Sequence, residues 1–424
     1  MRLALSTLQW AMFILAGSVV APLAIGQAYG MSPLEIGEFV QRTLFVLGIV
    51  ALVQTWWGHR LPIMEGPAAL WWGVFLLFGS LGAATGEESR SILPALGLGL
   101  VFSGVLFVIM SMCGWIAVIR RLFTPTVIGT YFILLVLQMS GPFLNGILGT
   151  ASTSFDWKAT SIAIATLILS FILARSRLPF LRNYSVLISI LFGWSLFQIF
   201  GLQEPFGEAS QSWFTLPGLF SFGWPEWDGG IILTSVIVTL LLLSNMIASM
   251  EAVGQVLENK NKINEKRTGL IMGGSQLLSA SFATVSFVPL SYTAGFIMTT
   301  RMKEKLPFLL GNGLLVLISF FPAVTGLFAS IPVSVGYASI FLSFVNMLGM
   351  GLQEIARDGL RERQLYIVGI SIMIGTGCMF IPSSFLFLVP PFLSPLISNG
   401  LLMGVASCLL LERLVRSEEP AQQK

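Results

Sequence analysis

Residues 231–262 read IILTSVIVTLLLLSNMIASMEAVGQVLENKNK. About twenty apolar residues cover the hydrocarbon core of a bilayer, and Ile231 to Met250 supplies them. The apolar run does not stop there. Glu251 is followed by Ala252, Val253, Gly254, Gln255, Val256 and Leu257, and the chain turns aqueous only at Glu258, Lys260 and Lys262. Glu251 and Gln255 are therefore expected inside one helix, a turn apart on the same face. Glu251 then lies roughly 10 Å from the charged end. Two readings stay open. Either Glu251 is an interfacial acid just past an ordinary span, or it is an intramembrane carboxylate facing a polar cavity, where it binds a solute or carries a proton.

Composition sets the class. Of 424 residues, 55% are hydrophobic and 10% charged, against about 25% charged in soluble proteins. A polytopic membrane protein embedded in a lipid bilayer fits these numbers. The net charge of +3 is not clustered as a nucleic-acid patch would be. Cys113, Cys378 and Cys408 lie far apart in apolar runs, and His59 is the single histidine. No metal site, no cofactor and no Ser-His-Asp triad is expected from this inventory. The N-terminus reads as a first span rather than a signal peptide.

Outward from 231–262, the apolar runs make fourteen segments. The first seven are 8–26, 43–57, a short segment at 67–79, 92–118, 125–138, 160–174 and 184–200. A loop, 201–230, follows, holding Glu204, Glu208, Glu226, Asp228 and three tryptophans without a Lys or Arg. The second seven are 231–250, 269–283, a short segment at 292–300, 307–329, 333–351, 364–380 and 392–411. With this count Arg42, Arg90 and Lys158 fall on one side and the other basic residues on the opposite side. The positive-inside rule then places both termini in the cytoplasm and the 201–230 loop outside.

The third and tenth segments are the short ones, each with a proline ahead of its helix: LPIMEGPAALWWGVFLLFG and VSFVPLSYTAGFIMTTRM. They occupy matching places in two seven-span halves, and an odd span count per half makes the halves inverted. Matched broken segments in inverted repeats point to a transporter's midplane site, because non-helical backbone at membrane depth must line a cavity or be buried in protein. The expected organisation is a first repeat at 1–200, the outside loop at 201–230, a second repeat at 231–412 and a cytoplasmic tail at 413–424. Among lesser signals, the small residues of GLGLVFSG at 97–104 suit close helix packing. The acids of GEESR at 86–90 suit a solvated loop.

The chain resembles the nucleobase–ascorbate transporter family, and within it the bacterial uracil and xanthine permeases. The resemblance rests on EAVG at 251–254, LQWAM at 8–12 with Pro22 after it, LFTPTVIG at 122–129, WFTLP at 213–217 and IPVSVGY at 331–337. It implies an all-α fold with a core domain of spans 1–4 and 8–11 and a gate domain of spans 5–7 and 12–14. It also implies a homodimer in the cell membrane and import of a base such as uracil or xanthine, with proton rather than sodium symport. Carried over by residue, Glu251 would bind the base and couple the proton. Gln255, Gln9, Trp10 and Tyr292, with backbone groups near Ala69 and Ser291, would complete the site.

The chain departs from the family at three places. Trp10 replaces a first-span His. Tyr292 stands where the family has Glu or Gln. Glu65 and Pro67 alter a usually small, polar run. Glu65 either supplies a replacement charge or sits at the cytoplasmic mouth paired with Arg60. A carboxylate suits the ring's N–H groups through charge-assisted bonds, and apolar surroundings favour the neutral form of a carboxyl group, so one residue can serve both substrate and proton. Two other classes compete. An anion transporter of the same fold would want a basic residue in the site, where none is visible. An intramembrane enzyme would want a paired catalytic set, and the sequence has none.

Overall fold

The apolar runs fold as helices, and their ends fall where the sequence supplies a cap or a proline. The computed structural model describes residues 2–85, 89–149, 156–202, 212–258, 263–329, 331–357, 361–382, 385, 389, 397 and 399–415. Glu87 and Glu88, residues 203–211 of the 201–230 loop with Glu204 and Glu208, most of the first half of the fourteenth segment and the tail from 416 lie outside the described residues.

In chain order the helices begin with α1 (Arg2–Ser18), α2 (Val20–Ala28) and α3 (Pro33–Trp56). Pro22 has no N–H for the Ser18 carbonyl, and the first span breaks at Val19 for that reason. Ser32 caps α3 in a reciprocal box with Glu35, and Arg90 pairs with that Glu35 at 2.8 Å. Strand β1 (Glu65–Pro67) leads into α4 (Ala69–Thr85). This helix has 17 residues and runs six past the expected end at Gly79, so the third segment is longer than its proline-rich start suggested.

Next come α5 (Leu93–Met112), α6 (Trp115–Arg120), α7 (Pro125–Leu148), α8 (Trp157–Ala174), α9 (Pro179–Asn183) and α10 (Ser185–Ile199). The fourth span was read as one run to 118. It divides at Gly114, whose φ of 73° is a left-handed value that glycine adopts without strain. The second half holds α11 (Gly229–Val256), α12 (Glu265–Ser281), β2 (Phe287–Pro289), α13 (Tyr292–Thr300), α14 (Lys305–Ser319), α15 (Pro322–Ala329), α16 (Val333–Arg357), α17 (Glu362–Met379) and α18 (Gly400–Leu414). Pro322 divides the expected eleventh span as Pro22 divides the first.

Seven helices among the described residues are long and apolar enough to cross a bilayer. Their outward faces are greasy as well. On α8, Ile164, Ile168, Phe171 and Ile172 are exposed at helical spacing, a stripe suited to lipid. The chain is a multi-pass helical membrane protein.

Contacts divide the chain into two compact units. The larger comprises residues 1–117 and 143–343. Its helices pack closely through small residues. A Cβ on Gly104 would come within 2.8 Å of the Gly273 carbonyl, and one on Gly273 within 2.7 Å of the Gly104 carbonyl. The 97–104 run thus seats α5 on α12 as its small residues suggested. An aromatic block joins α1, α13 and α14. Phe13 stacks on Phe296 at 3.9 Å, and the Trp10 ring lies 4.5 Å from Phe296 and 4.9 Å from Phe308.

The smaller unit comprises residues 118–142 and 344–424. There α17 packs on α18. Gly129 and Gly351 meet backbone to backbone in the same reciprocal way, each with the other's carbonyl within 2.9 Å of its would-be Cβ. Thr124 bonds the Glu412 carboxylate at 2.8 Å, and the Arg363 guanidinium reaches the Glu412 and Val415 carbonyls.

Candidate functional site

The two broken segments meet. Proline restricts the residue before it to extended backbone and supplies no N–H of its own, so Gly66-Pro67 and Val288-Pro289 each make a short strand rather than helix. The strands pair antiparallel, with Glu65 opposite Pro289, Gly66 opposite Val288 and Pro67 opposite Phe287. Flanking bonds extend the pairing. Ala68 N–H donates to the Ser286 carbonyl at 2.8 Å, and Leu290 N–H donates to the Met64 carbonyl at 2.9 Å. Helix α13 starts at Tyr292, where the short segment was expected to begin, and α4 starts at Ala69, two residues after the expected Pro67, because Pro67 is taken into strand β1. First-turn N–H groups at such starts lack intrahelical partners and carry positive dipole ends.

Helix α11 packs against α4, β2 and α13. Its grip is specific. The Ser249 hydroxyl lies 2.7 Å from the Pro289 carbonyl and 2.7 Å from the Ser291 hydroxyl, and Asn245 Nδ2 reaches the same carbonyl at 3.4 Å. Asn245 and Ser249 form a polar pair one turn apart within an apolar span. Reading for acids alone passed over them, though that spacing is the signal that finds them.

Glu251 and Gln255 lie in the same 28-residue helix, which runs to Val256, so both are helical as expected. Each is half-buried, while Ala252, Val253 and Gly254 between them are buried. Two residues of helix rotate a side chain by about 200°. The face carrying Glu251 and Gln255 is therefore not the face with which Ser249 holds β2. Among the described residues of α4, α11, α13 and the two strands there is no Lys or Arg.

The other expected site residues separate into two groups. Ala69 is exposed at the start of α4, and Tyr292 is half-buried at the start of α13. Ser291 is buried but bonded to Ser249. Gln9 and Trp10 are fully buried. Gln9 donates to the Asn183 carbonyl at 2.6 Å and accepts from Leu187 N–H at 3.4 Å, so its amide ties α1 to the start of α10. The Trp10 ring is enclosed by Phe13, Phe296 and Phe308. It connects with Tyr292 through Phe13, whose ring lies 5.8 Å from the tyrosine's.

Glu65 corrects one expectation. It does not sit at an open mouth paired with Arg60. Its side chain is fully buried, and its partner is His59, with Nε2 3.4 Å from Oε1. Arg60 is exposed, in a left-handed conformation with φ of 61°, and that turn carries the chain from α3 back into β1.

Two crossed strands, each launching a helix from its proline, with a single-acid apolar helix packed over them, define a helical membrane transporter with an interrupted-helix core. The chain belongs to the permease family whose signature is Xan_ur_permease, which it matches over residues 1–384; this is a family of transporters and not of enzymes. It is 37% identical over 422 residues to YwdJ of Bacillus subtilis (strain 168), named a candidate purine permease, covering 97% of this chain and 96% of that one. It is 25% identical to the uric acid transporter UacT of Escherichia coli (strain K12), covering 97% and 85%. Against the xanthine permease of Bacillus subtilis it is 23% identical, covering 95% and 91%. Among solved structures, the transmembrane domain of the cyanobacterium bicarbonate transporter BicA aligns with TM-score 0.57 at 15% identity, covering 95% of this chain and 97% of that one. SLC26A9 aligns with TM-score 0.62 at 14% identity, covering 96% and 65%. The fold is shared with those transporters.

Proposed function

We propose that this protein imports a nucleobase, of the purine type its relatives are named for or uracil, by proton symport through Glu251. The observation that carries the reading is the placement of Glu251. It is the one ionisable residue of α11, half-buried, on a helix bonded to the second broken segment through Ser249 and packed against α4. A flat, nearly neutral base edged with N–H and C=O groups suits this set. Glu251 accepts from a ring N–H in a charge-assisted bond, and Gln255, one turn on, offers both a donor and an acceptor. Backbone groups at the starts of α4 and α13 meet the ring's carbonyl edge. Ser291 fixes the backbone by its bond to Ser249, Tyr292 borders the ring, and Gln9 and Trp10 support that wall from behind.

Apolar surroundings favour the neutral carboxyl. A carboxyl group can hold a proton or accept from a ring N–H but not both at one oxygen, so in this reading the two ligands are linked through Glu251. The wider proposal is a fourteen-span protein of two inverted halves, dimeric in the cell membrane, with both termini in the cytoplasm. An anion such as bicarbonate is a poorer fit, because the site elements carry an acid and no basic residue. Uptake of radiolabelled xanthine, urate and uracil in cells tests this, with and without an uncoupler and with bicarbonate as competitor. Uncoupler-sensitive uptake of a base supports the reading; uptake of none of the three, or full inhibition by bicarbonate, overturns it.

A further inference from the structure

His59 and Glu65 are fully buried, and nothing in the transport reading uses them. Their geometry fixes where protons can sit. Leu61 N–H donates to His59 Nδ1 at 3.0 Å, so Nδ1 is an acceptor and the ring proton is on Nε2. That Nε2–H faces Glu65 Oε1 at 3.4 Å. Protonating Nδ1 as well would set two N–H groups against each other. The variable proton of the pair belongs to Glu65. Its other oxygen, Oε2, is buried without a hydrogen-bond partner among the described residues. A buried charge left this way is strongly disfavoured, and a carboxyl group relieves it by binding a proton.

We propose that Glu65, positioned by His59, is a proton-binding site separate from Glu251. In the loaded state Oε2 carries the proton and Oε1 keeps the Nε2–H bond; in the empty state the carboxylate holds only that bond. Among the described residues, no Lys or Arg forms an ion pair with Glu65. Helices α1 and α3 and strand β2 pack on β1. α1 carries Arg2 at its exposed start, α3 carries Glu35, Glu38 and Arg42 in the half away from His59, and β2 carries no ionisable residue. Beyond β2 lie Glu251 on α11, Tyr292 on α13, and Glu265, Lys266 and Arg267 in the first turn of α12, which Gln54 joins through the Thr268 carbonyl. Arg60, next to the pair in sequence, is exposed.

Access and coupling are both in place. Trp56 and Trp57, each 59% exposed, mark the membrane interface at the end of α3, so the pair lies close to a proton source. Glu65 also stands opposite Pro289 in the crossed strands, and the Pro289 carbonyl is held by Ser249 of α11. Glu65 is thus linked to the helix of Glu251 through its strand partner Pro289 and the one hydrogen bond from Ser249 to the Pro289 carbonyl.

The test is a pH titration of the purified full-length protein by infrared difference spectroscopy, following the carbonyl stretch of protonated carboxylic acids. It needs no substrate, so it stands or falls apart from the nucleobase reading. The proposal predicts a titrating component that Glu65→Gln removes and Glu251→Gln leaves in place. A Glu65→Gln titration that superimposes on wild type overturns it. Should Glu65→Gln fail to fold, His59→Phe keeps the carboxyl and removes the imidazole N–H. The same component must then change its midpoint, and an unmoved midpoint overturns the proposal equally.

Discussion

Ser249→Ala is the sharpest test of how the site is assembled. The substitution removes one oxygen and leaves the volume nearly intact, so folding should survive. Two bonds go, to the Pro289 carbonyl and to the Ser291 hydroxyl, both at 2.7 Å. A neutral buried hydrogen bond contributes about 1 kcal/mol net, so the pair is worth about 2 kcal/mol. Asn245 already reaches the same carbonyl at 3.4 Å and can close part of the gap, which makes that figure an upper value. Expressed wholly in affinity it is about 30-fold. Expressed wholly in stability it appears as a lower melting temperature. The expected outcome is a division between the two, measured as substrate affinity in vesicles and thermal melting in detergent. Asn245→Ala on top of Ser249→Ala should cost more than the sum of the single changes, because each side chain then lacks its substitute. If the single variant matches wild type in both measurements, α11 is not held to the crossing by this serine.

Two other changes address packing. Gly104→Val forces a side chain against the Gly273 carbonyl at 2.8 Å and should destabilise by about 1–3 kcal/mol. Gly274→Ala, where a Cβ meets nothing within 4 Å, should leave the melting temperature unchanged or raise it by the helix preference of alanine, up to about 1 kcal/mol; equal losses in the two variants would contradict the α5–α12 contact. Gly17→Ala puts a Cβ 2.6 Å from the Tyr292 hydroxyl and 2.8 Å from Met64. It should change which bases compete for uptake, and Tyr292→Phe in the same chain should restore the wild-type profile by removing the obstructing oxygen; a double variant no different from Gly17→Ala would place the tyrosine elsewhere.

Much of this architecture can be read from residues alone, for identifiable reasons. Proline has one backbone geometry and no N–H, so Pro67 and Pro289 announce where α4 and α13 begin. Hydropathy marks the spans because the bilayer tolerates so few alternatives. Helix membership of Glu251 and Gln255 follows from the unbroken apolar run around them. What escapes is decided by packing between distant segments. Nothing near Glu65 in sequence says that His59, rather than Arg60, turns inward to meet it. That choice is made by the left-handed turn at Arg60 and the Leu61 N–H on the ring. Gln9 reads as a free amide until α10 arrives beside it. Trp10 reads as a site wall until Phe296 and Phe308 enclose it. The break at Gly114 is visible only as one glycine among many.

The central claim is that Glu251 both binds the base and carries the proton, and Glu251→Gln tests it directly. The amide keeps the size and one acceptor, cannot titrate, and brings a donor against the ring's own N–H. Uphill accumulation of radiolabelled base should be abolished, with no remaining effect of an uncoupler. Affinity should fall by the value of a charged hydrogen bond, about 1.5–3 kcal/mol, or roughly ten- to a hundredfold. Wild-type accumulation and affinity in Glu251→Gln at normal expression would contradict the account and return Glu251 to an interfacial acid at the end of an ordinary span.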